Sequence, residues 1–247
     1  MQETVIVSKL SKSYGSHKVV DSLDFVIKKG KVLGLLGSNG AGKSTSIECI
    51  LGTKKKDAGS VSILGMNPAT QRKQLFQKIG VQFQELNYQR EIKVNELCEE
   101  TAALYQRPMD YHGLLEKLGL FEQKNAYVKD LSGGQRQRLF ICLALIPDPA
   151  LIFMDELTTG LDAKARRDVW KMLKSLKEEG MTMILTSHFM DEVEALCDEI
   201  IILNKGQTAY QGTVEQAIKQ SPYRKFEDAY LWYAGEEVEA EEHENIW

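Results

Sequence analysis

The sequence predicts an α/β fold, a mostly parallel sheet covered by helices and interrupted by a helical insertion. Three observations predict it. Short apolar runs alternate with stretches of helical spacing on both sides of the chain's middle, the pattern of strands joined through covering helices. From Glu85 to about Ile146 that alternation gives way to helical periodicity alone. A glycine-rich loop, Gly37 to Thr45, separates an apolar run from a helix-compatible segment, which is where parallel-sheet proteins place an anion site.

The elements follow in order. Thr4 to Leu10 reads as a strand, Tyr14 and Gly15 as a polar turn, and Val19 to Ile27 as a second strand before the Lys28-Lys29-Gly30 turn. Val32 to Leu36 is a buried strand, Ser46 to Leu51 a helix, and Gly52 its C-cap. Gly59 to Leu64 alternates as a strand, and Ile79 to Phe83 forms another that ends at Gln84. In the insertion, Lys93 to Tyr105 is helical, with Val94, Leu97, Cys98 and Leu104 as its apolar positions. Tyr111 to Leu118 is a second helix, and Ser132 is the N-cap of a third. The core resumes with strand Leu151 to Met154, helix Ala163 to Lys177, strand Met181 to Thr186 and helix Phe189 to Leu196. Two strands, Glu199 to Leu203 and Thr208 to Gln211, follow around Lys205-Gly206. After Pro222 come an aromatic patch (Phe226, Tyr230, Trp232, Tyr233), suited to docking on the core or a partner, and an acidic run.

Composition narrows the class. A chain of 247 residues with 43% apolar and 27% charged residues suits one large domain or a core with a subdomain. The net charge of −4 gives no sign of a nucleic-acid partner. The acidity is local, since Gly235 to Trp247 holds six glutamates and no lysine or arginine. Cys49, Cys98, Cys142 and Cys197 lack metal-ligand or disulfide-framework spacing and suit apolar packing. The first residues lack a basic-then-apolar leader. No apolar run approaches the roughly 18–20 residues that span a bilayer. The expectation is a cytoplasmic chain that reaches a membrane only through another polypeptide.

Gly37 to Thr45 reads GSNGAGKST, which fits the P-loop pattern G-x-x-x-x-G-K-[ST]. Gly37, Gly40 and Gly42 let the backbone between them, including Ser38, Asn39 and Ala41, turn its N–H groups onto phosphate oxygens. Lys43 adds a positive charge for the terminal phosphates, and Ser44 offers Mg²⁺ a hydroxyl. Downstream, Leu151 to Glu156 reads LIFMDE, an apolar strand ending in two acids. Asp155 is the metal-side carboxylate, and Glu156 is placed to orient and deprotonate an attacking water. Leu131 to Gln135 reads LSGGQ at a helix start, where Ser132, Gly133, Gly134 and Gln135 form a second anion-binding device.

GSNGAGKST, LSGGQ, LIFMDE, Leu161-Asp162 and His188, in that order, resemble the ATPase subunit of ATP-binding cassette (ABC) transporters over Thr4 to about Ile218. The resemblance implies a P-loop nucleotidase core, RecA-like, with a mostly parallel sheet and an antiparallel β-subdomain, together with an inserted α-helical subdomain. Residues 1–84 and 147–221 would form the core, 85–146 the helical subdomain carrying LSGGQ, and 222–247 a C-terminal extension. Tyr14 corresponds to the aromatic that stacks on adenine. Gln84 corresponds to the glutamine that senses the γ-phosphate and Mg²⁺, Asp162 to the loop linking two ATP sites, and His188 to the switch histidine on the γ-phosphate. The family's acidic strand continues with proline, and here Leu157 stands there.

The resemblance further implies ATP and Mg²⁺ as cofactors and a head-to-tail pair of ATPase subunits, the simpler pairing being a homodimer. Ser132 to Gln135 of one copy would then complete the other's P-loop site. It implies a separate transmembrane permease subunit, contacted through the insertion after Gln84 with Leu86, Tyr88 and Ile92 as the contact surface, and hence a place on the cytoplasmic face of the membrane. His188 to Thr213 resembles the bacterial multidrug, antibiotic and polysaccharide exporter branch, and an uptake system is the alternative. A soluble ABC ATPase acting on ribosomes or DNA is a further reading, weakened by the single cassette, the absence of long coiled coils and the acidity. LSGGQ argues against a P-loop kinase or GTPase.

Overall fold

The computed structural model describes residues 2–82 and 88–237. Gln84 and Leu86 lie outside these residues, as does most of the acidic run. Strands β1 (Glu3–Tyr14) and β2 (His17–Lys28) form a long antiparallel hairpin. The alternation of Val5, Val7, Val20, Leu23, Phe25 and Ile27 turns one face of this hairpin inward. Strand β3 (Val32–Gly37) is buried at every position, as expected of a parallel strand covered on both faces. Helix α1 (Lys43–Ile50) follows the glycine loop. It begins three residues earlier than the spacing predicts, so Ser44 and Thr45 lie in its first turn. Strand β4 (Ala58–Ile63), the short α2 (Arg72–Leu75) and β5 (Ile79–Gln82) complete the first half.

The middle of the chain is helical. It contains α3 (Val94–Ala102), α4 (Tyr111–Lys117), two single 3₁₀ turns, and α5 (Gly133–Leu145). Helix α3 stops at Ala102, and Leu104, predicted on its apolar face, is 72% exposed beyond the helix end. The second half runs β6 (Leu151–Asp155), α6 (Ala163–Glu178), β7 (Thr182–Thr186), α7 (Met190–Leu196), β8 (Glu199–Asn204), β9 (Gln207–Gly212), α8 (Val214–Gln220) and α9 (Phe226–Ala234). The aromatic patch is thus a helix. Its Phe226 and Tyr230, four residues apart, are buried against β8 and β9, while Trp232 points to solvent.

Two sheets result. Antiparallel β2-β1-β4 forms one, and β5-β6-β7-β3-β8-β9, parallel except for β9, forms the other. Period-two side chains divide the larger sheet between two cores. Ile152, Met154, Met183 and Leu185 face the cluster shared with α3, α5 and α6. Leu151, Phe153 and Ile184 face the cluster with α1 and the smaller sheet. The helical segment is therefore packed on the sheet through continuous apolar contact. Leu157 is buried in that same cluster, so the leucine in the proline position adds apolar burial just after the two acids. Cys49, Cys98 and Cys142 are buried and Cys197 partly so, all as free thiols.

Candidate functional site

The strand order brings the C-terminal ends of β3, β6 and β7 side by side, and the loops leaving them line one cavity. Open sheets of this kind bind ligands at that edge. The cavity is about 480 Å³ and is lined by Val19, Asn39, Gly40, Gly42, Lys43, Ser44, Thr45, Glu156, Thr159 and His188.

The loop's shape follows from its glycines. Gly42 caps α1 at φ 104°, a left-handed conformation that a side chain strains. A Cβ there would also lie 2.4 Å from the Val19 carbonyl oxygen. The loop is held from below where Gly206 N donates to Ala41 O at 3.1 Å. Lys43 is buried, and its Nζ donates to the Gly37 and Ser38 carbonyl oxygens at 2.7 and 3.2 Å. Burial pushes the pKa of this ammonium down, while Glu156 and Asp155 act to raise it. The Ser44 hydroxyl stands at the exposed start of the helix.

The two acids differ in setting. Asp155 is buried and accepts from Thr186 Oγ1. Glu156 follows at φ 49°, a conformation costly for a non-glycine residue and concentrated at functional sites. Its amide is fixed to Thr186, at 2.9 Å to Oγ1 and 3.2 Å to the carbonyl. That turn aims the carboxylate at the cavity, where Oε1 lies 2.7 Å from His188 Nε2.

Other predicted residues lie elsewhere. Ser132 caps α5 with a reciprocal box, Gln135 N donating to Ser132 Oγ at 3.2 Å and Ser132 N to Gln135 Oε1 at 2.9 Å. Gly133 and Gly134 pack on Leu161 and Ala165 at the start of α6. A Cβ on Gly134 would meet that of Ala165 at 2.9 Å. Asp162 caps α6 by accepting from Lys164 N and Ala165 N at 2.9 Å. None of these residues lines the cavity of its own subunit. Tyr14 stands at the hairpin tip, its ring 5.4 Å from Lys12 Nζ and 5.5 Å from Lys54 Nζ. Val19 and Thr159, which no motif marks, do line the cavity. Ile92 was predicted on a contact surface but is 4% exposed within the helical cluster. Its place in the core follows from its position just before α3, where the bridge between Lys93 and Tyr127 closes the segment. Tyr88 is half-buried against Phe140, with ring centroids 6.2 Å apart.

A family model described as ABC transporter matches residues 20–159. The chain belongs to the ABC transporter family. Nod factor export ATP-binding protein I of Rhizobium etli is 40% identical over 222 residues, covering 86% of this chain and 69% of that protein. Its counterpart from Ralstonia nicotianae is 38% identical over 217 residues, covering 86% and 68%. Among solved structures, an ATP-binding subunit of an ABC transporter superposes with a TM-score of 0.83 at 25% identity, covering 93% of this chain and 99% of that one. The ADP conformation of an ABC transporter cassette gives 0.77 at 27%, covering 89% and 94%. A dimeric bacterial cassette gives 0.74 at 26%, covering 85% and 98%.

The chain is an ATP-binding and ATP-hydrolysing subunit of an ABC transporter. Among the described residues of this ABC subunit no helix is long and apolar enough to cross a membrane. Nor do they hold a group of three histidines, cysteines or acids able to bind a metal. Mg²⁺ does not require such a group, since it takes one or two protein oxygens beside substrate phosphates and waters. The Ser44 hydroxyl and the Asp155 carboxylate, hard oxygen donors near Lys43, fit it.

Proposed function

We propose that this chain energises an exporter by hydrolysing ATP between two copies of itself arranged head to tail, on the cytoplasmic face of a membrane and beneath a separate transmembrane permease. The observation that carries the reading is the divided site. Lys43, Ser44, Glu156 and His188 converge on one cavity, while Ser132 to Gln135 and Asp162 sit outside it, on the surface around α5 and α6. A second anion-binding helix start that lies outside the cavity of its own subunit is explained by a site in another copy. The dimeric cassette among the similar structures supports the pairing, and the export names of the sequence relatives support the direction of transport.

In this reading the phosphates draw the Lys43 ammonium away from the Gly37 and Ser38 carbonyls, and the loop amides take up the remaining oxygens. Tyr14 stacks on adenine, with Val19 on the wall beside the loop. Ser44 and Asp155, with Gln84, would hold Mg²⁺, which when bound neutralises charge on the β- and γ-oxygens. Glu156 takes the proton of the water that attacks the γ-phosphorus in line, and His188 holds Glu156 and the γ-phosphate in one hydrogen-bonded group. The partner's Ser132, Gly133, Gly134 and Gln135 close the other side.

The permease would be met through an apolar groove of about 450 Å³ between β5, α3 and α5, whose lining includes Phe76, Val81, Tyr88, Leu104 and Phe140. Val81 and Tyr88 in its lining flank, in sequence, the segment carrying Gln84, so a partner seated there would be linked to the site through the chain.

The test is the mass of Glu156→Gln in solution with ATP and Mg²⁺. The expected result is a dimer that forms with ATP and separates when the nucleotide is removed. A variant that binds ATP yet remains a monomer at every concentration overturns the shared site.

A further inference from the structure

Glu192 in α7 is 2% exposed, with its carboxylate in the interior. A buried carboxylate is retained only where hydrogen bonds replace its water. Here the donors come from three separate stretches of chain. Thr158 Oγ1, two residues beyond Glu156, donates at 3.2 Å. Trp170 Nε1, on α6, donates at 2.9 Å. Ser187 Oγ, the residue before His188, makes the third bond. Ser187 Oγ also accepts from Phe189 N at 3.0 Å. A second tie lies beside the first, because the Arg166 guanidinium stands 4.2 Å from the Phe189 ring centroid and 5.7 Å from that of Trp170. The residues on either side of His188 are thus both fastened to α6, the helix that Asp162 caps.

We propose that Glu192 is a positioning residue for hydrolysis, locking the His188 loop to the Thr158 turn and α6 so that His188 and the Asp162 loop move as one body. Given the reading of His188 and Asp162 above, closure of a second subunit on Asp162 would be felt at His188 without contact between them. The carboxylate suits this task because one group accepts from three elements at once, and none of the three bonds another directly in its place. Glu192 touches no reacting atom.

The test compares steady-state ATP hydrolysis by the full chain in four variants: Glu192→Ala, Glu192→Gln, His188→Ala and the double variant Glu192→Ala/His188→Ala. Expected for Glu192→Ala is a kcat lowered about tenfold or more with KM for ATP changed less than about twofold, because the phosphate loop is untouched. Glu192→Gln, which still accepts from Trp170 and can pair with Ser187, should recover most of the rate. On the His188→Ala background the Glu192→Ala change should cost little more, the non-additivity of residues acting through one another. Where Glu192→Ala does not fold, Trp170→Phe removes a single donor and should lower kcat a few-fold at constant KM. A full independent factor in the double variant, or an unchanged kcat per folded molecule in Glu192→Ala or Trp170→Phe, overturns the proposal. An unchanged rate in His188→Ala itself overturns the site reading, and this inference with it.

Discussion

His188 Nε2 lies 2.7 Å from Glu156 Oε1 across the mouth of the P-loop cavity. The two residues are 32 apart in sequence and leave the ends of neighbouring strands, β6 and β7. Thr186 sets the spacing, since it binds Asp155 with its hydroxyl and holds the Glu156 amide from both its hydroxyl and its carbonyl.

In the proposed mechanism this contact joins the two residues into one hydrogen-bonded catalytic group. Replacing Glu156 by Gln keeps the volume and removes the proton acceptor. The turnover rate should fall by about 10² to 10⁴, the range for losing a general base, with ATP affinity preserved. Rapid-quench hydrolysis and equilibrium nucleotide binding check both halves. A Glu156→Gln rate close to that of the native protein would move the base elsewhere.

Ser132 separates a local role from a distant one. Its hydroxyl caps α5, so Ser132→Ala should lower stability by about 0.5–2 kcal/mol. ATP binding to the single subunit should not change, because Ser132 does not line that cavity. ATP-driven pairing should weaken. Chemical denaturation, nucleotide titration and light scattering read the three quantities separately, and weakened nucleotide binding to the monomer would contradict the divided site.

Leu104 tests the groove. It is 72% exposed, so Leu104→Glu removes little buried surface and should leave the thermal midpoint within about 1–2 °C, as surface changes usually do. Co-purification with the transmembrane partner should be lost. Retention of the partner by this variant would place the docking surface elsewhere.

Glu192 gives stability a pH dependence. Burial raises its pKa above the ordinary value of 4.5, against the opposing bonds from Ser187, Thr158 and Trp170 and the charge of Arg166. The folded state therefore holds this proton at pH values where the unfolded chain has released it. The resulting stabilisation is fully present below the unfolded pKa and is lost as pH rises through the folded one. Relative to Glu192→Gln, the native protein should lose unfolding free energy as pH is raised from about 4.5 through that window. Parallel denaturation curves for the two proteins at every pH would show that Glu192 titrates alike in both states.

What the sequence determined by itself was chemistry that is local along the chain. GSNGAGKST carries its glycines, lysine and hydroxyl within nine residues, so spacing alone points to a phosphate cradle. LSGGQ carries its own cap, and the apolar runs before Gly37 and Asp155 announce buried strands. The tertiary structure decided what depends on sheet order. Val19 reaches the cavity because the start of β2 lies against the glycine loop, its carbonyl oxygen 2.4 Å from where a Cβ on Gly42 would stand, and Thr159 because the turn after β6 leaves the same sheet edge as β3. Ile92 turns inward because the bridge between Lys93 and Tyr127 closes the helical segment on itself, and no periodicity in a non-helical stretch encodes that. Glu192 reads in sequence as one acid in an acidic helix start, Met190-Asp191-Glu192. Ser187 is near it in sequence, but its partners Thr158 and Trp170 come from two other stretches of chain, 34 and 22 residues away. The physical reason is one of range. Dihedral preference and motif spacing act over a turn or two, whereas burial and cross-strand hydrogen bonds are fixed only when the whole sheet has chosen its order.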